Sequence, residues 1–538
     1  MLEWIRSKLH AWGAGRPPLL RHAEAARRDG DLRGARRMCL AALRASPEDA
    51  QVLSLMAAIA ADERQTEEGL SWARRAVAVD PRSVAAHYAL GRLWEGAERY
   101  AEAEASYRKV TVLDPNHARA HNNLGCMLHM QGKLDAALAC YRKALELDPQ
   151  QPEANKNYAA LAGADAGRLE TAIDGFKRQI AANPGDAAAY NSLANIYVEL
   201  GRHREALVNL ERALALDPDR VEFHFAKAHL LLLLGNYAEG WKEYEWRWRM
   251  KAINAPALRF SRPMWDGRRI EKGALLIHGE TGFGDTLQFV RYAPLAAVRC
   301  ATVIVECQPA LKSLLHGAKG VSQVVAQGEP LPPFDTHVPL IGLPGIFGTT
   351  LDSIPWQGPY IHADPAQASE WRSLVASCEP ARLRAGLVWA GNPQNPNDRA
   401  RSLALQDLAP LARVPDVTFF SLQKGPAAAQ AVAAPAGMRL VDLTPRILDF
   451  SDTAALLSQL DLVVSIDTAV AHLSGAMGMP TWVALPFAAD WRYHVGRGDN
   501  PWYPTMRLFR QERDGDWSAV IAQIAQELLL RAESKQTP

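Results

Sequence analysis

Residue types that could do chemistry gather in a few short segments of this chain. One is His278-Gly-Glu-Thr-Gly-Phe-Gly-Asp285. It follows an apolar run, and Gly279, Gly282 and Gly284 permit a tight strand-to-helix turn whose free N–H groups favour an anion or a developing negative charge. Thr281 and Thr286 flank the turn and could support it. Asp285 falls at the helix start, where a carboxylate can accept a proton but where aspartate also serves as a cap or first-turn residue. Spacing alone does not choose between the two.

A second segment is Ser465-Ile-Asp-Thr-Ala-Val-Ala-His472. A strand ends in Asp467-Thr468, a helix opens, and His472 at i+4 from Thr468 could share a face with its hydroxyl. Such a helix start suits a diphosphate. Taken alone, Asp467 as N-cap and His472 as a packed core histidine is the stronger reading. A third segment, Trp389 to Ser402, places Asn392, Arg399 and Arg401 in a polar loop after another strand, where arginines could neutralise phosphate oxygens or simply be solvated. Gln423 and Lys424 end the next strand, where a ribose or base would be read. Late aromatics, Trp491-Arg-Tyr-His494 and Pro501-Trp-Tyr-Pro504, could stack on a sugar or base, with a packed loop at least as strong a reading.

Strand-like runs at 274–278, 301–305, 385–389, 417–421, 462–466 and 481–485 alternate with helical stretches, as in βαβ units. The Pro- and Gly-rich stretch 331–365 splits them into two groups. The expected architecture is two Rossmann-like lobes with a cleft, over 273–365 and 366–538.

Upstream, prolines at 47, 81, 115, 149, 184 and 218 recur at intervals of 34, 34, 34, 35 and 34. Leu90-Gly91 matches Leu124-Gly125, Ala103 matches Ala137, and Tyr107 matches Tyr141 and Phe176. This pattern resembles the tetratricopeptide repeat, and it predicts an all-α superhelix of about six to seven repeats over 1–250, with a linker at 251–272. The aromatic run Tyr237 to Trp248 is expected to cap the array and dock it on the next domain, in preference to forming a ligand box.

Sixty basic residues against 59 acidic ones, net +1, give no argument for a nucleic-acid or membrane-surface partner. Six cysteines show neither metal-ligand spacing nor a disulfide framework. No bilayer-length apolar run or leader is evident, so a soluble, cytoplasmic protein without a transmembrane segment is expected. No metal is expected either: Asp514-Gly-Asp516 reads as a late turn, and Asp398 lacks a partner at ligand spacing.

The early Gly-Asp turn, the basic loop and Asp-Thr-x-x-x-His, in that order, resemble the GT-B glycosyltransferases of the heptosyltransferase family over about residues 273 to 535. The resemblance implies that Asp285 is the base, that Arg401 or Arg399 takes the place of a phosphate-binding lysine, and that Asp467, Thr468 and His472 hold a diphosphate. It places the acceptor in the first lobe and the nucleotide-sugar in the second, with that sugar as substrate and no cofactor. This chain departs from the family pattern in Ala469, where glycine is usual, and in arginine for lysine, which leaves the donor and its pose open. In domain order alone the chain resembles the protein O-GlcNAc transferases and repeat-containing flagellin glycosyltransferases. That likeness implies that the acceptor is a protein such as flagellin, held on the concave face of the repeats; with Asp285 as base and arginines neutralising the phosphate, the transfer is expected to be inverting and metal-independent. The alternatives are a scaffold with a degenerate transferase domain, a transferase acting on a lipid or polysaccharide precursor, and an epimerase or phosphorylase using the same phosphate cradle.

Overall fold

The computed structural model describes residues 16–148, 151–162, 166–249, 260–280, 282–378, 382–395 and 398–534. The chain forms two compact units, 1–196 and 197–538.

The described residues of the first unit form helices and the short turns between them, and their punctuation follows from the prolines. Helices end at Ala45, Val79, Leu113 and Leu147, each two residues before a proline. The residue before proline is pushed out of the helical region, and Asp80 and Asp114 accordingly take extended backbone. The next helix restarts on a side-chain cap: Asp49 accepts from the N–H of Gln51 and Val52, and Ser83 from that of Ala86. Within a pair, small residues let the helices touch. A Cβ on Gly91 would lie 2.6 Å from the Tyr107 ring, and one on Gly125 would lie 2.5 Å from the Tyr141 ring. Both tyrosines are fully buried, and the Tyr107 hydroxyl donates to Glu95 at 2.7 Å. The aromatic fills the space that the missing Cβ leaves.

The second unit contains the last helices, His203–Leu216, Val221–Leu233 and Tyr237–Tyr244, followed by two parallel sheets. The first sheet has the order β3-β2-β1-β4, built from β1 (Ile270–His278), β2 (Cys300–Cys307), β3 (Gln323–Ala326) and β4 (Thr336–Pro339). The second has the order β10-β9-β8-β5-β6-β7, from β5 (Leu383–Val388), β6 (Val417–Ser421), β7 (Leu440–Asp442), β8 (Leu462–Ile466), β9 (Thr481–Leu485) and β10 (Met506–Arg510). Helices cover the sheets, as parallel strands require. This is the GT-B type of α/β architecture.

The strand expectations at 417–421, 462–466 and 481–485 match β6, β8 and β9 residue for residue. The stretch 331–365 does more than separate the sheets, because it supplies β4. Within the expected linker, Trp265 N–H donates to the His337 carbonyl and His337 N–H to the Pro263 carbonyl, so 263–265 runs along the free edge of β4. Residues 251–259 of that linker lie outside the described residues. Of the aromatic run, Tyr237, Trp241 and Tyr244 are buried, and its first turn packs on the α/β part: Trp241 meets Trp491 edge-on at 5.4 Å, and the Tyr237 hydroxyl pairs with His494 Nε2 at 3.0 Å. Among the described residues no helix is long and apolar enough to cross a membrane.

Gly125→Val is expected to force the Tyr141 ring from its site and destabilise the helical unit by about 2 kcal/mol. Denaturant unfolding followed by circular dichroism measures it, and an unchanged midpoint would show that the close approach has no energetic weight.

Candidate functional site

The site forms where the carboxyl end of β1 meets those of β5 and β8. After His278, the Gly279 N–H donates to the Glu306 carbonyl, and the chain turns into the helix Phe283–Phe289. The buried Thr286 hydroxyl donates to Gln308 at 2.9 Å, which ties this helix to the loop after β2. Thr281 lies outside the described residues. Gly282 is the residue before the helix, with extended backbone. Gly284 has a stricter reason to be glycine: a Cβ there would sit 2.8 Å from the ring of His472 in the second lobe.

Asp285 sits on this helix. One carboxylate oxygen accepts the Gly282 N–H at 3.4 Å, a weak cap, while the other takes the Arg492 guanidinium at 2.6 Å. The ion pair is the stronger contact by a wide margin. Arg492 is held in turn by Gln288 Oε1 and Asp490 Oδ1, both at 2.9 Å, and lies 4.3 Å over the Trp491 ring. Burial works against the Asp490 charge, but Arg492 outweighs it and holds that carboxyl below its ordinary range.

Opposite, β8 runs into Asp467, and Thr468 begins the helix Ala469–Ala476. The Thr468 hydroxyl pairs with Ser465 Oγ at 3.0 Å and makes no side-chain cap, so the first-turn N–H groups keep no competing side-chain acceptor from Thr468. Asp467 accepts the Tyr493 hydroxyl at 2.7 Å and Arg401 Nη1 at 3.3 Å. Its burial, with the charge of Asp490 nearby, lifts its pKa above the usual range. His472 turns its Nδ1 to the Tyr503 hydroxyl at 3.0 Å and its Nε2 towards Asp467 at 3.9 Å, rather than to the Thr468 hydroxyl. Burial, reinforced by Arg492, drops the His472 pKa to about 3, so the ring is neutral at pH 7.

Arg401 also pairs with Asp398 at 3.3 Å, and Asp398 accepts the Ser402 hydroxyl. Asn392 and Arg399 are exposed in the same loop; Asn392 Oδ1 receives the Gln394 N–H. Gln423 is committed to the scaffold. Its oxygen accepts the N–H groups of Trp389 and Ala390, and its nitrogen donates to the carbonyls of Ala390 and Lys424. Lys424 Nζ donates to the carbonyls of Thr444 and Ile447. The structure therefore brings together Gly284, Asp285, Arg401, Asp467, Thr468 and His472, whereas Gln423 and Lys424 brace the loops around them.

Sequence reasoning passed over Asp490 and Arg492, and it gave Tyr493 and Tyr503 no polar role. Trp491, Tyr493, Trp502 and Tyr503 are buried, so this late segment is packed as its structural reading held. Its polar atoms nevertheless complete the site. The available signal was Asp490-x-Arg492 beside a cluster of aromatics, which sets a cation among groups able to bury it.

Residues 84–117, 118–151 and 194–235 match tetratricopeptide repeats. Residues 414–485, from just before β6 through β9 and including Asp467, Thr468 and His472, match glycosyltransferase family 9 (heptosyltransferase). Protein FlbA of Caulobacter vibrioides is 26% identical over 379 residues, covering 66% of this chain and 63% of that protein, so the chain spans less than two thirds of this relative's length. Among solved structures, YrrB, described as a TPR protein with an unusual peptide-binding site, is 24% identical over 35% of this chain and 97% of its own, with a TM-score of 0.31. PilW, a type IV pilus biogenesis factor, is 18% identical over 39% and 98%, with a TM-score of 0.34. Tetratricopeptide repeats and a glycosyltransferase family 9 segment thus occur in one chain.

A histidine buried neutral must take up a proton on unfolding at acid pH. Its folded pKa of about 3 lies below the unfolded value near 6.5, so its stabilisation is complete above about pH 6.5 and is lost as pH falls from there towards 3. Ring ¹⁵N shifts of His472 should report a neutral imidazole at pH 5, and His472→Gln should flatten the acid limb of the stability profile. A ring that titrates near pH 6.5 would refute the burial argument.

Proposed function

We propose that this chain is a GT-B glycosyltransferase that moves a sugar from a nucleotide donor to an acceptor hydroxyl, with inversion and without a metal ion. The observation that carries this is the convergence of Asp285, from the β1 turn, with Asp467, Thr468 and His472 of the segment matching glycosyltransferase family 9.

In this reading the acceptor hydroxyl enters beside Asp285, which takes its proton as the oxygen attacks the anomeric carbon. The bond from that carbon to the phosphate oxygen breaks, and its electron pair leaves with the nucleotide. Charge builds on the leaving phosphate, so donors fixed there beforehand stabilise the transition state. Supporting this are the start of helix Ala469–Ala476 without a side-chain cap and the Arg401 guanidinium next to it. The neutral His472 ring can hydrogen-bond the phosphate without burying another charge. Arginines in the 391–402 loop supply the positive charge that a metal ion would otherwise bring. Arg492 keeps Asp285 aimed while the site is filled.

The acceptor, on this proposal, is a polypeptide such as flagellin, held along the repeats, because stacked helical pairs present an extended concave surface suited to chains. The nucleotide-sugar is a substrate, and no cofactor enters the scheme.

Asp285→Asn should lower kcat by about 10² to 10⁴-fold while donor affinity stays within about threefold. Among UDP, GDP, ADP, CMP and their sugar conjugates, one nucleotude class should raise the melting temperature of the wild type and have no such effect on Arg401→Ala or Thr468→Ala. Near-normal turnover by Asp285→Asn refutes the base assignment. Loss of activity to a chelator refutes the metal-free step, and a thermal shift with none of these nucleotides favours a scaffold.

A further inference from the structure

Two guanidinium groups, that of Arg247 buried and that of Arg492 half-buried, converge on the turn between β1 and the helix Phe283–Phe289. Arg492 holds Asp285, at the far end of the turn. Arg247 holds Glu280, at the near end, through Nε and Nη2 in two parallel contacts of 3.3 Å. Arg247 does not belong to the α/β fold. It lies in the single-turn segment Glu245–Arg249 that continues the last helical pair.

The pair is closed to water, with side-chain exposures of 1% for Arg247 and 4% for Glu280. Arg247 Nη1 also donates to the Tyr244 carbonyl at 3.0 Å and to Glu245 at 2.8 Å, and the guanidinium lies 4.0 Å over the Trp248 ring. The burial of Glu280 pushes its carboxyl pKa up against the pull of Arg247. A buried carboxylate in a turn is costly, and apolar side chains of similar size would pack there at least as well. What an ion pair adds is direction: two parallel bonds from a planar fork fix where the turn lies. The same helical pair also backs the other end, because Trp241 packs on Phe289 at 6.5 Å and on Trp491, the neighbour of Arg492, at 5.4 Å.

We propose that Arg247 is a positioning residue for the transfer reaction: from the last helical pair it holds Glu280, and through Glu280 the turn that presents Asp285. This rests on the reading of Asp285 as the base. The repeats are then more than a tether for the acceptor, because their final pair completes the catalytic turn, and an α/β part cut free of it would present Asp285 in the wrong place.

The test uses the full chain with Arg247→Met and the double variant Arg247→Met with Glu280→Gln. The single variant leaves a carboxylate buried without its cation and is expected to lose thermal stability. The double variant removes both charges and should recover a melting temperature close to wild type. In the double variant kcat should nevertheless remain down by about 10- to 100-fold, as expected for a misplaced catalytic group, with donor KM within about threefold. Amide exchange over residues 279–286 should quicken while the second lobe stays protected. A double variant with both wild-type kcat and wild-type exchange over the turn overturns the proposal and leaves the pair with stability alone. Failure of the transferase reading shows differently: the wild type then transfers no sugar, or Asp285→Asn is without effect, whereas exchange over 279–286 still reports whether Arg247 holds the turn.

Discussion

An arginine withdrawn from water must find acceptors for a fork of donors it cannot give up, because its guanidinium does not lose its charge in proteins. Arg247, Arg291 and Arg492 are all placed this way, and each solves the problem by reaching a distant part of the chain. Arg247 reaches Glu280. Arg291 donates to the carbonyls of Gln288 and Trp502 and to the Tyr360 hydroxyl, at 2.6 to 2.8 Å. Arg492 reaches back from the second lobe to Asp285 and Gln288. The helix Phe283–Phe289 and its continuation to Tyr292 are therefore tied to the last helical pair, to the crossover between lobes and to the late aromatic segment at once. Each tie is a geometric demand, since a guanidinium that loses a partner in such a place leaves a charge unpaired.

Close packing extends the same constraint into the site. A Cβ on Gly475 would fall 2.6 Å from the Tyr503 ring, and a Cβ on Gly284 would fall 2.8 Å from His472. Tyr503 is hydrogen-bonded to His472 and stacks beneath Arg291, whose guanidinium lies 4.7 Å from its ring. The position of His472 is thus fixed from the helix behind it, from the aromatic loop beside it and from the first lobe in front. A side chain so confined need not reorganise when a ligand arrives, and that is the property electrostatic stabilisation requires.

How far the sequence foretells this depends on whether a feature is written in spacing or in contact. Proline at a 34-residue interval and the matching Gly91, Gly125, Tyr107 and Tyr141 are local and periodic, so the repeats were legible. The runs that became β6, β8 and β9 were apolar and bounded, while β3, β4 and β7 are only three or four residues long, too short for a period to register. The strand ends pointed to Asp285, Arg401, Asp467, Thr468 and His472, and the fold sets these residues near one another. They could not say where a side chain turns: Gln423 and Lys424 stand at such an end yet spend their hydrogen bonds on backbone. The Asp490-x-Arg492 spacing gives a cation but not its partner, and Arg247 carries no motif. Their partners lie 207 and 33 residues away, and only the fold makes them neighbours.

The charges gathered at the site bear on what could enter it. Asp285, Asp398, Asp467 and Asp490 face two guanidinium groups, those of Arg401 and Arg492, and His472 brings no charge at neutral pH. Such a cluster does not by itself attract a diphosphate, and both guanidinium groups already have carboxylate partners. On the function proposed above, a donor phosphate would have to share Arg401 with Asp467, whose carboxyl its burial and the nearby charge of Asp490 hold above the ordinary range. On that same proposal the remaining attraction falls to the start of helix Ala469–Ala476, whose dipole favours an anion and which carries no side-chain cap from Thr468.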